Sequence, residues 1–155
     1  MSMPVSKRAV LSSLACVVAT GGIIAGGLAA STASAATGAT LTHGSTRYVA
    51  PTDSRAGSFT YAVDVNDDSG VRSLKVVAWP ASSALVPTKA DLRHAESATC
   101  ERTSHDTSHC TYALKVTKKQ AADLAKGTWY VSALATAKDG DTKFVSMAAR
   151  FVVAG

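Results

Sequence analysis

Apolar and polar residues alternate along most of the chain after residue 57, and this pattern constrains the fold more than any other feature. In the first run, apolar side chains occupy every second position, at Phe59, Tyr61, Val63 and Val65. A similar run covers residues 129–136, and the last strand is predicted from Thr142 through Phe144 to Val153. Because successive side chains of an extended strand point to opposite faces, the alternation predicts half-buried β-strands.

Turn residues separate these runs at short intervals. Residues 66–70 (Asn-Asp-Asp-Ser-Gly) and the pair 139–140 (Asp-Gly) have turn chemistry. Pro80 ends the run of residues 71–79, which has apolar side chains on both faces. That double-sided pattern predicts a central strand shielded by its neighbours.

The spacing of these strands predicts the fold class. Leu41 and residues 48–49 add one or two strands before the first clear run, and both tryptophans, Trp79 and Trp129, lie in strongly apolar strands and are expected in the core. We therefore predict an all-β fold, an immunoglobulin-like antiparallel β-sandwich of about seven strands.

Two capping-box patterns predict one or two short helical turns within this fold. Thr88-x-x-Asp91 would start one turn that continues through Leu92. Thr117-x-x-Gln120 would start a two-turn helix with Leu124 facing inward and Gly127 as its C′ stop.

The N-terminal segment has the features of a cleavable export signal. Lys7 and Arg8 precede an uncharged, largely apolar stretch over residues 9–30, and Ala33-Ser34-Ala35 fits the small-x-small rule of signal peptidase. We predict cleavage after Ala35 and an extracellular, secreted product.

Residues 36–155 would then form a single domain whose first few residues are a flexible lead. Two alternatives to cleavage of residues 1–35 remain open. One is a retained membrane anchor, which four glycines within residues 21–27 make a poor helix. The other is lipidation of Cys16, which requires Leu three positions earlier, where this chain has Ser13.

The charge of the secreted part argues against nucleic acid as a partner. The whole chain has a formal net charge of +5, and removal of Lys7 and Arg8 leaves +3. The remaining basic residues are scattered, with Lys118-Lys119 the one adjacent pair after residue 35. Because there is neither a basic stripe nor an aromatic platform, we expect no nucleic-acid binding, and no membrane contact after signal cleavage.

Cys100 and Cys110 are the two cysteines of the secreted part. An even pair close in sequence in an exported chain predicts a disulfide, here across a hairpin whose turn spans residues 104–108. A loop this short corresponds to roughly 2.5–3 kcal/mol of stabilisation in the chain-entropy estimate.

The disulfide would pin a polar loop at its base and so make it a candidate binding loop with a reduced entropy loss on binding. The loop consists of Thr103, Ser104, His105, Asp106, Thr107, Ser108 and His109.

Two groups of residues are candidate metal ligands. Asp64, Asn66 and Asp68 have the spacing of a calcium loop, but Ser69 and Lys75 stand where that loop needs Gly and a bidentate Glu. A hydrogen-bonded turn is the preferred interpretation, with a calcium site built partly from other loops as the alternative.

The second group is His94, His105 and His109, with Asp106 as a possible carboxylate ligand. Solvated loop histidines are the preferred interpretation. We expect no metal and no other cofactor.

Catalytic patterns are weak throughout the sequence. The chain has many serines and several histidines but no Gly-x-Ser-x-Gly elbow. A sandwich of this size also leaves little room for a deep pocket. We expect no enzyme activity.

The chain resembles a family of small secreted actinobacterial, Streptomyces-type proteins with a domain of unknown function. The resemblance covers about residues 40–155 and depends on four segments, namely Asp67–Val71, Val76–Pro80, Glu96–Cys100 and Gly127–Ala135. It implies secretion and an immunoglobulin-like sandwich, and it implies no activity.

The leading hypothesis is a secreted, non-enzymatic β-sandwich module that binds a protein or a cell-envelope ligand through its loops. One alternative is an inhibitor of extracellular hydrolases that presents residues 103–109. The other is a calcium-stabilised structural domain.

Overall fold

The structure, a computed structural model, describes residues 38–154. The predicted signal segment 1–35, its cleavage site and Cys16 lie outside the described residues.

The described residues form eight β-strands and two short helices. In chain order the elements are β1 Thr40–Val49, β2 Gly57–Asn66, β3 Val71–Pro80, α1 Lys89–Leu92, β4 Glu96–Ser97, β5 Thr99–Arg102, β6 Thr107–Val116, α2 Lys118–Asp123, β7 Gly127–Ala137 and β8 Thr142–Val153.

The strands form two four-stranded antiparallel sheets. Sheet I has the order β1-β2-β6-β5, and sheet II has the order β4-β3-β7-β8. Buried side chains of both sheets, among them Tyr61 and Val63 of sheet I and Leu74 and Val131 of sheet II, form one hydrophobic core. The all-β prediction is confirmed at this level.

The strand count is eight where the sequence predicts about seven. The difference arises at Ala98, whose N–H donates to the carbonyl oxygen of Leu74 at 2.8 Å. Residues before Ala98 pair with sheet II as β4, and residues after it pair with sheet I as β5. Residues 96–102 are therefore divided between the two sheets.

The alternation in β2 is confirmed residue by residue. Phe59, Tyr61, Val63 and Val65 are buried, and the residues between them are half-buried. Residues 40–49 form one strand, β1, with an irregular register between Thr42 and Ser45. His43 lies within this irregularity and has a φ of 55°.

Sheet II is buried on both faces near its centre, as predicted for β3. On the outer face, Leu92 of α1 is fully buried and Leu134 of β7 is 3% exposed. The indole N–H of Trp79 donates to the Ser132 hydroxyl at 2.9 Å, so this buried tryptophan also has its polar atom satisfied.

Both capping boxes are confirmed. Thr88 and Thr117 are the N-cap residues, and each exchanges reciprocal hydrogen bonds with the residue three positions later. The prediction of Gly127 as a C′ stop is wrong. The second helix ends at Asp123 because Leu124 is already extended, and Gly127, with a φ of 106°, begins β7.

None of the helices within residues 38–154 is long and apolar enough to cross a membrane.

Candidate functional site

One end of the sandwich has two incompletely covered sheet edges. In sheet I, β5 pairs with residues 108–111 of β6, and no described strand flanks residues 112–116 on the side away from β2. In sheet II, β4 pairs with Lys75 and Val76 alone, so residues 77–80 of β3 have no described strand on that side. Because the short strands β4 and β5 stop early, the sandwich is open between the ends of β3 and β6.

An apolar cavity of about 290 Å³ lies at this opening, and we call it the aromatic cleft. Its walls are Tyr48, Phe59, Ala78, Leu114, Val116, Leu124, Trp129 and Phe151. Phe151 is central to the aromatic part. Its ring centroid lies 4.6 Å from that of Phe59, 5.9 Å from that of Trp129 and 6.0 Å from that of Tyr48.

Exposure varies strongly among the apolar side chains of the cleft. Phe59 and Val116 are each 4% exposed, whereas Leu114, which pairs with Phe59 in the register of sheet I, is 43% exposed. The exposed fraction of Leu114 is large because no strand continues β5 beside it. The cleft therefore has a buried floor and a solvent-accessible mouth.

Polar residues rim the mouth. Lys115 of β6 and two residues of α2, Gln120 and Asp123, line the cleft and are exposed. The capping box at Thr117 positions α2 directly after β6, where its residues close one side of the cavity. An apolar interior with a polar rim can hold an apolar group of a ligand whose remainder stays in water.

The predicted binding loop is shorter than the sequence indicates. Residues 103–106 form the turn, whereas Thr107, Ser108 and His109 belong to β6. Ser108 is 7% exposed and unavailable to a large partner. A tight turn is favoured because the guanidinium group of Arg102 donates to the carbonyl oxygens of Ser104 and His105, at 2.9 and 2.6 Å.

The base of this turn is held as the sequence predicts. Cys100 and Cys110 are directly opposite each other in the β5–β6 pair and are joined by a disulfide. At the tip, the Ser104 hydroxyl donates to Asp106 at 2.8 Å, and this hydrogen bond lowers the pKa of the Asp106 carboxyl. The turn lies at the end of β6 opposite the aromatic cleft.

The calcium candidates Asp64, Asn66 and Asp68 have different partners in the structure. The Asp64 carboxylate contacts His109 Nδ1 at 2.7 Å and His43 Nδ1 at 3.1 Å. Its pKa is lowered, chiefly by the hydrogen bond with His109. Asn66 instead donates to Thr42 and accepts from Thr107.

The three histidine candidates are also separated. His109 is on β6 beside Asp64, His105 is in the 103–106 turn, and His94 is two residues after the end of α1. Within residues 38–154, one group of three potential ligands among His, Cys, Asp and Glu is close enough to share a metal ion. That group is Asp67, Asp68 and Asp139, and it contains no histidine.

Sequence reasoning missed both the aromatic cleft and the acidic group. The alternation of β6 marks Leu114 as an inner-face residue but gives no sign that the neighbouring strand ends before it. The turn signals at residues 66–70 and 139–140 were recognised separately, and nothing in the sequence links them. Asp67 is part of the predicted turn 66–70 and is not one of the predicted metal candidates.

A family model described as "Family of unknown function (DUF5707)" matches residues 41–135. No curated protein and no solved structure matches the chain. The matched segment includes nearly all of β1 to β7 and excludes β8, which supplies Phe151 to the cleft. Because the match spans 95 of the 155 residues, the chain belongs to this family of unknown function.

Proposed function

We propose that the protein is a secreted, non-enzymatic binding module that holds an extended peptide segment of a partner protein. The peptide would lie along the free edge of β6 at residues 112–116 and place one apolar side chain in the aromatic cleft. The observation that carries this proposal is the position of the cleft directly beside an uncovered strand edge.

An uncovered strand edge supports peptide binding because its outward backbone N–H and C=O groups can extend the sheet by one strand. Main-chain hydrogen bonds of this kind supply affinity for any extended segment. Specificity comes from pockets that accept alternate side chains, and the aromatic cleft would be such a pocket. Its volume of about 290 Å³ is near the lower limit for ligand pockets, which suits a single side chain better than a cofactor.

The chemistry of the cleft supports binding without catalysis. Its lining has no histidine, cysteine or serine, and its two charged residues, Lys115 and Asp123, are exposed at the rim. A group that acted as a general acid or base would need a position inside the cavity, next to the bound ligand.

We also propose that the sandwich is immunoglobulin-like. If β1 to β8 are equated in order with strands A, B, C, C′, D, E, F and G, sheet I has the order A-B-E-D and sheet II has C′-C-F-G. This is the strand order of immunoglobulin domains with one added C′ strand. The bare edges at the cleft then belong to strands C and E, beyond the ends of C′ and D.

Secretion is supported by the export signal of residues 1–35 and by the Cys100–Cys110 disulfide, which persists in oxidising compartments. Expression of the full chain in a bacterial host, followed by mass spectrometry of the culture medium, tests it. The expected product begins at Ala36. Retention of the uncleaved chain in the membrane fraction would contradict the proposal.

A displayed library of random dodecapeptides tests the binding function. Selection on the immobilised protein should enrich extended peptides with an apolar residue flanked by residues of high β-propensity. The affinity of each selected peptide is then measured by calorimetry and by the fluorescence of Trp129, which lines the cleft.

Two matched variants locate the binding site. Leu114→Arg places a charge in the cleft mouth, whereas Met147→Arg makes the same change at a β8 residue that is 60% exposed and does not line the cleft. We expect at least a tenfold loss of peptide affinity for Leu114→Arg and none for Met147→Arg. Equal affinities for both variants, or no peptide retained at micromolar concentration, would refute this function.

A further inference from the structure

Two turns meet at the end of the sandwich opposite the aromatic cleft. Asp67 and Asp68 lie in the turn between β2 and β3, and Asp139 lies in the turn between β7 and β8. One carboxylate oxygen of each residue lies within 4.8 Å of the corresponding oxygens of the other two. Three carboxylates this close repel one another unless a cation lies among them.

The Asp67 carboxylate is buried and only half satisfied. The residue is 4% exposed. Its Oδ1 accepts hydrogen bonds from the Ser69 N–H at 2.9 Å and from the Ser69 hydroxyl at 2.6 Å. Its Oδ2 is buried and has no hydrogen-bond partner among the described residues. A buried carboxylate oxygen without a partner is costly and points to a bound positive group.

No basic side chain of the described residues supplies that positive charge. Within residues 38–154, none of the three carboxylates has a Lys, Arg or His nitrogen within 4.0 Å. Lys138 is the nearest candidate by sequence, but its side chain packs beside Gly70 and forms no ion pair with the cluster.

Backbone and side-chain hydrogen bonds hold the two turns together. The Lys138 N–H donates to the Gly70 carbonyl oxygen at 2.9 Å, and the Arg72 guanidinium donates to the Lys138 carbonyl oxygen at 2.7 Å. The Asp139 N–H donates to the Ser69 hydroxyl at 3.3 Å. These contacts fix the two turns relative to each other and do not use the free oxygen of Asp67.

We propose that Asp67, Asp68 and Asp139 bind a calcium ion, with water completing its coordination. Calcium takes oxygen ligands at about 2.3–2.6 Å, so two ligands on opposite sides of one ion are roughly 4.6–5.2 Å apart. Three carboxylate oxygens that all lie within 4.8 Å of one another can therefore contact the same ion. Asp68 and Asp139 are exposed, which leaves room for the waters that a seven-coordinate ion requires.

The bound ion would clamp the β2–β3 turn, which connects the two sheets, to the β7–β8 turn of sheet II. The proposed calcium site is separate from the proposed peptide site, because the two sites lie at opposite ends of the strands. Extracellular calcium modules bind with dissociation constants of about 10⁻⁴–10⁻³ M, and we expect a value in this range.

Thermal unfolding and calorimetry of the purified protein in calcium chloride from 0 to about 10 mM test the site. An ion that binds the folded state alone raises the melting temperature, and with the expected affinity the rise is roughly 5–10 °C. Parallel titrations with magnesium chloride should give a smaller shift, because magnesium requires near-octahedral geometry and loses its water reluctantly.

Asp67→Asn and Asp139→Asn each remove one ligand charge, and Asp139→Asn changes an exposed residue, so folding is retained even if Asp67→Asn fails to fold. Asp53→Asn is the control, since it removes the same charge at an exposed residue outside the cluster. We expect calcium affinity to fall at least tenfold in both ligand variants and to be unchanged in the control. No calcium shift in the wild-type protein, a larger magnesium shift, or an equal calcium shift in all variants would overturn the proposal.

Discussion

The two ends of the sandwich depart in opposite directions from a fully closed β-fold. At the cleft end, which comprises the aromatic cleft and α2, inner-face apolar side chains such as Leu114 reach solvent. At the turn end, which comprises the turns 66–70, 103–106 and 138–141, a carboxylate is buried instead. The cleft end therefore offers apolar surface to a ligand, whereas the turn end offers negative charge. The two proposed ligands differ accordingly, an apolar side chain at the cleft end and a cation at the turn end.

The two ends also differ in how they are held. The turn end has the Cys100–Cys110 disulfide and a hydrogen bond from the Asp67 N–H to the Asp106 carbonyl oxygen at 2.7 Å. The cleft end is covered on one side only, by α2, a helix of six residues in which no side chain is buried. Local unfolding should therefore begin at the cleft end.

Removal of the disulfide should have the largest effect on the free energy of unfolding. Local unfolding should then begin at the turn end instead of the cleft end. Cys100→Ala combined with Cys110→Ala releases β5 from the turn-end half of β6. The expected loss in the free energy of unfolding is roughly 2.5–3 kcal/mol, from the entropy regained by the unfolded chain. Urea denaturation measures the loss, and hydrogen exchange should quicken most in residues 99–106. Faster exchange spread equally over both ends would contradict the proposed difference.

A pair of substitutions at the cleft end should have the next largest effect. Val116→Ala removes a buried side chain and should lower the free energy of unfolding by roughly 2 kcal/mol. Leu114→Ala removes a larger side chain from the same strand, but one that is 43% exposed, and the loss should be under about 1 kcal/mol. Equal losses in urea denaturation would show that the cleft is closed in solution.

The two ends were also unequally predictable from the sequence. The strand positions of β2 follow from a local period-2 pattern, because which face of a strand is buried is encoded in neighbouring residues. The capping boxes at Thr88 and Thr117 are local for the same reason.

The candidate sites were not predictable because each depends on residues that are distant in sequence. The cleft exists because β4 and β5 end early, and the position of a strand end beside a neighbour is a tertiary property. The acidic cluster brings together Asp67 and Asp139, which lie in two different turns. Each turn is predicted from its own residues, without reference to the other. The turn ends three residues before the end of the candidate loop 103–109, and the Arg102 contacts that tighten it are not visible in a local sequence pattern.

Tyr61 offers a neutral counterpart to Asp67. Its hydroxyl oxygen is also buried without a partner, but no charge accompanies it, so no ion is needed. Tyr61→Phe should therefore leave the free energy of unfolding unchanged or raise it by about 1 kcal/mol. Asp67→Asn in the absence of calcium tests whether removal of the unpaired charge also raises the free energy of unfolding. A marked destabilisation by Tyr61→Phe would indicate a partner for its hydroxyl.

Alkaline titration provides a second measurement on the same tyrosine. Burial raises the pKa of Tyr61 to about 12, and burial together with the hydrogen bond to Glu96 raises the pKa of Tyr112 to about 12. Tyrosine hydroxyls in the unfolded chain ionise near pH 10. The stability contributed by these two tyrosines is therefore fully present below pH 10 and is lost as the pH rises towards 12. Tyr61→Phe should reduce this loss, and an unchanged alkaline transition would contradict it.

Acid titration of Asp64 should show the smallest effect. Its hydrogen bonds to His109 and His43 lower its pKa below the ordinary value of 3.8. A carboxyl group whose pKa is lower in the folded state stabilises the protein above the unfolded pKa, and that contribution is lost as the pH falls through the folded pKa. Both histidines are exposed and Asp64 is half-buried, so solvent screens the interaction and the change in stability will be slight.

Carboxyl chemical shifts across pH 2–6 are a more sensitive measure of this contact than a melting curve. His109→Gln should raise the pKa of Asp64 more than His43→Gln, because the His109 hydrogen bond is the larger cause of the shift and the shorter contact, at 2.7 against 3.1 Å. The order of the two effects also bears on the contrast between the ends. His109 is on β6 next to the disulfide-bonded Cys110, whereas His43 lies in the irregular part of β1. A larger effect for His43→Gln would mean that the disulfide does not hold this part of β6 in place.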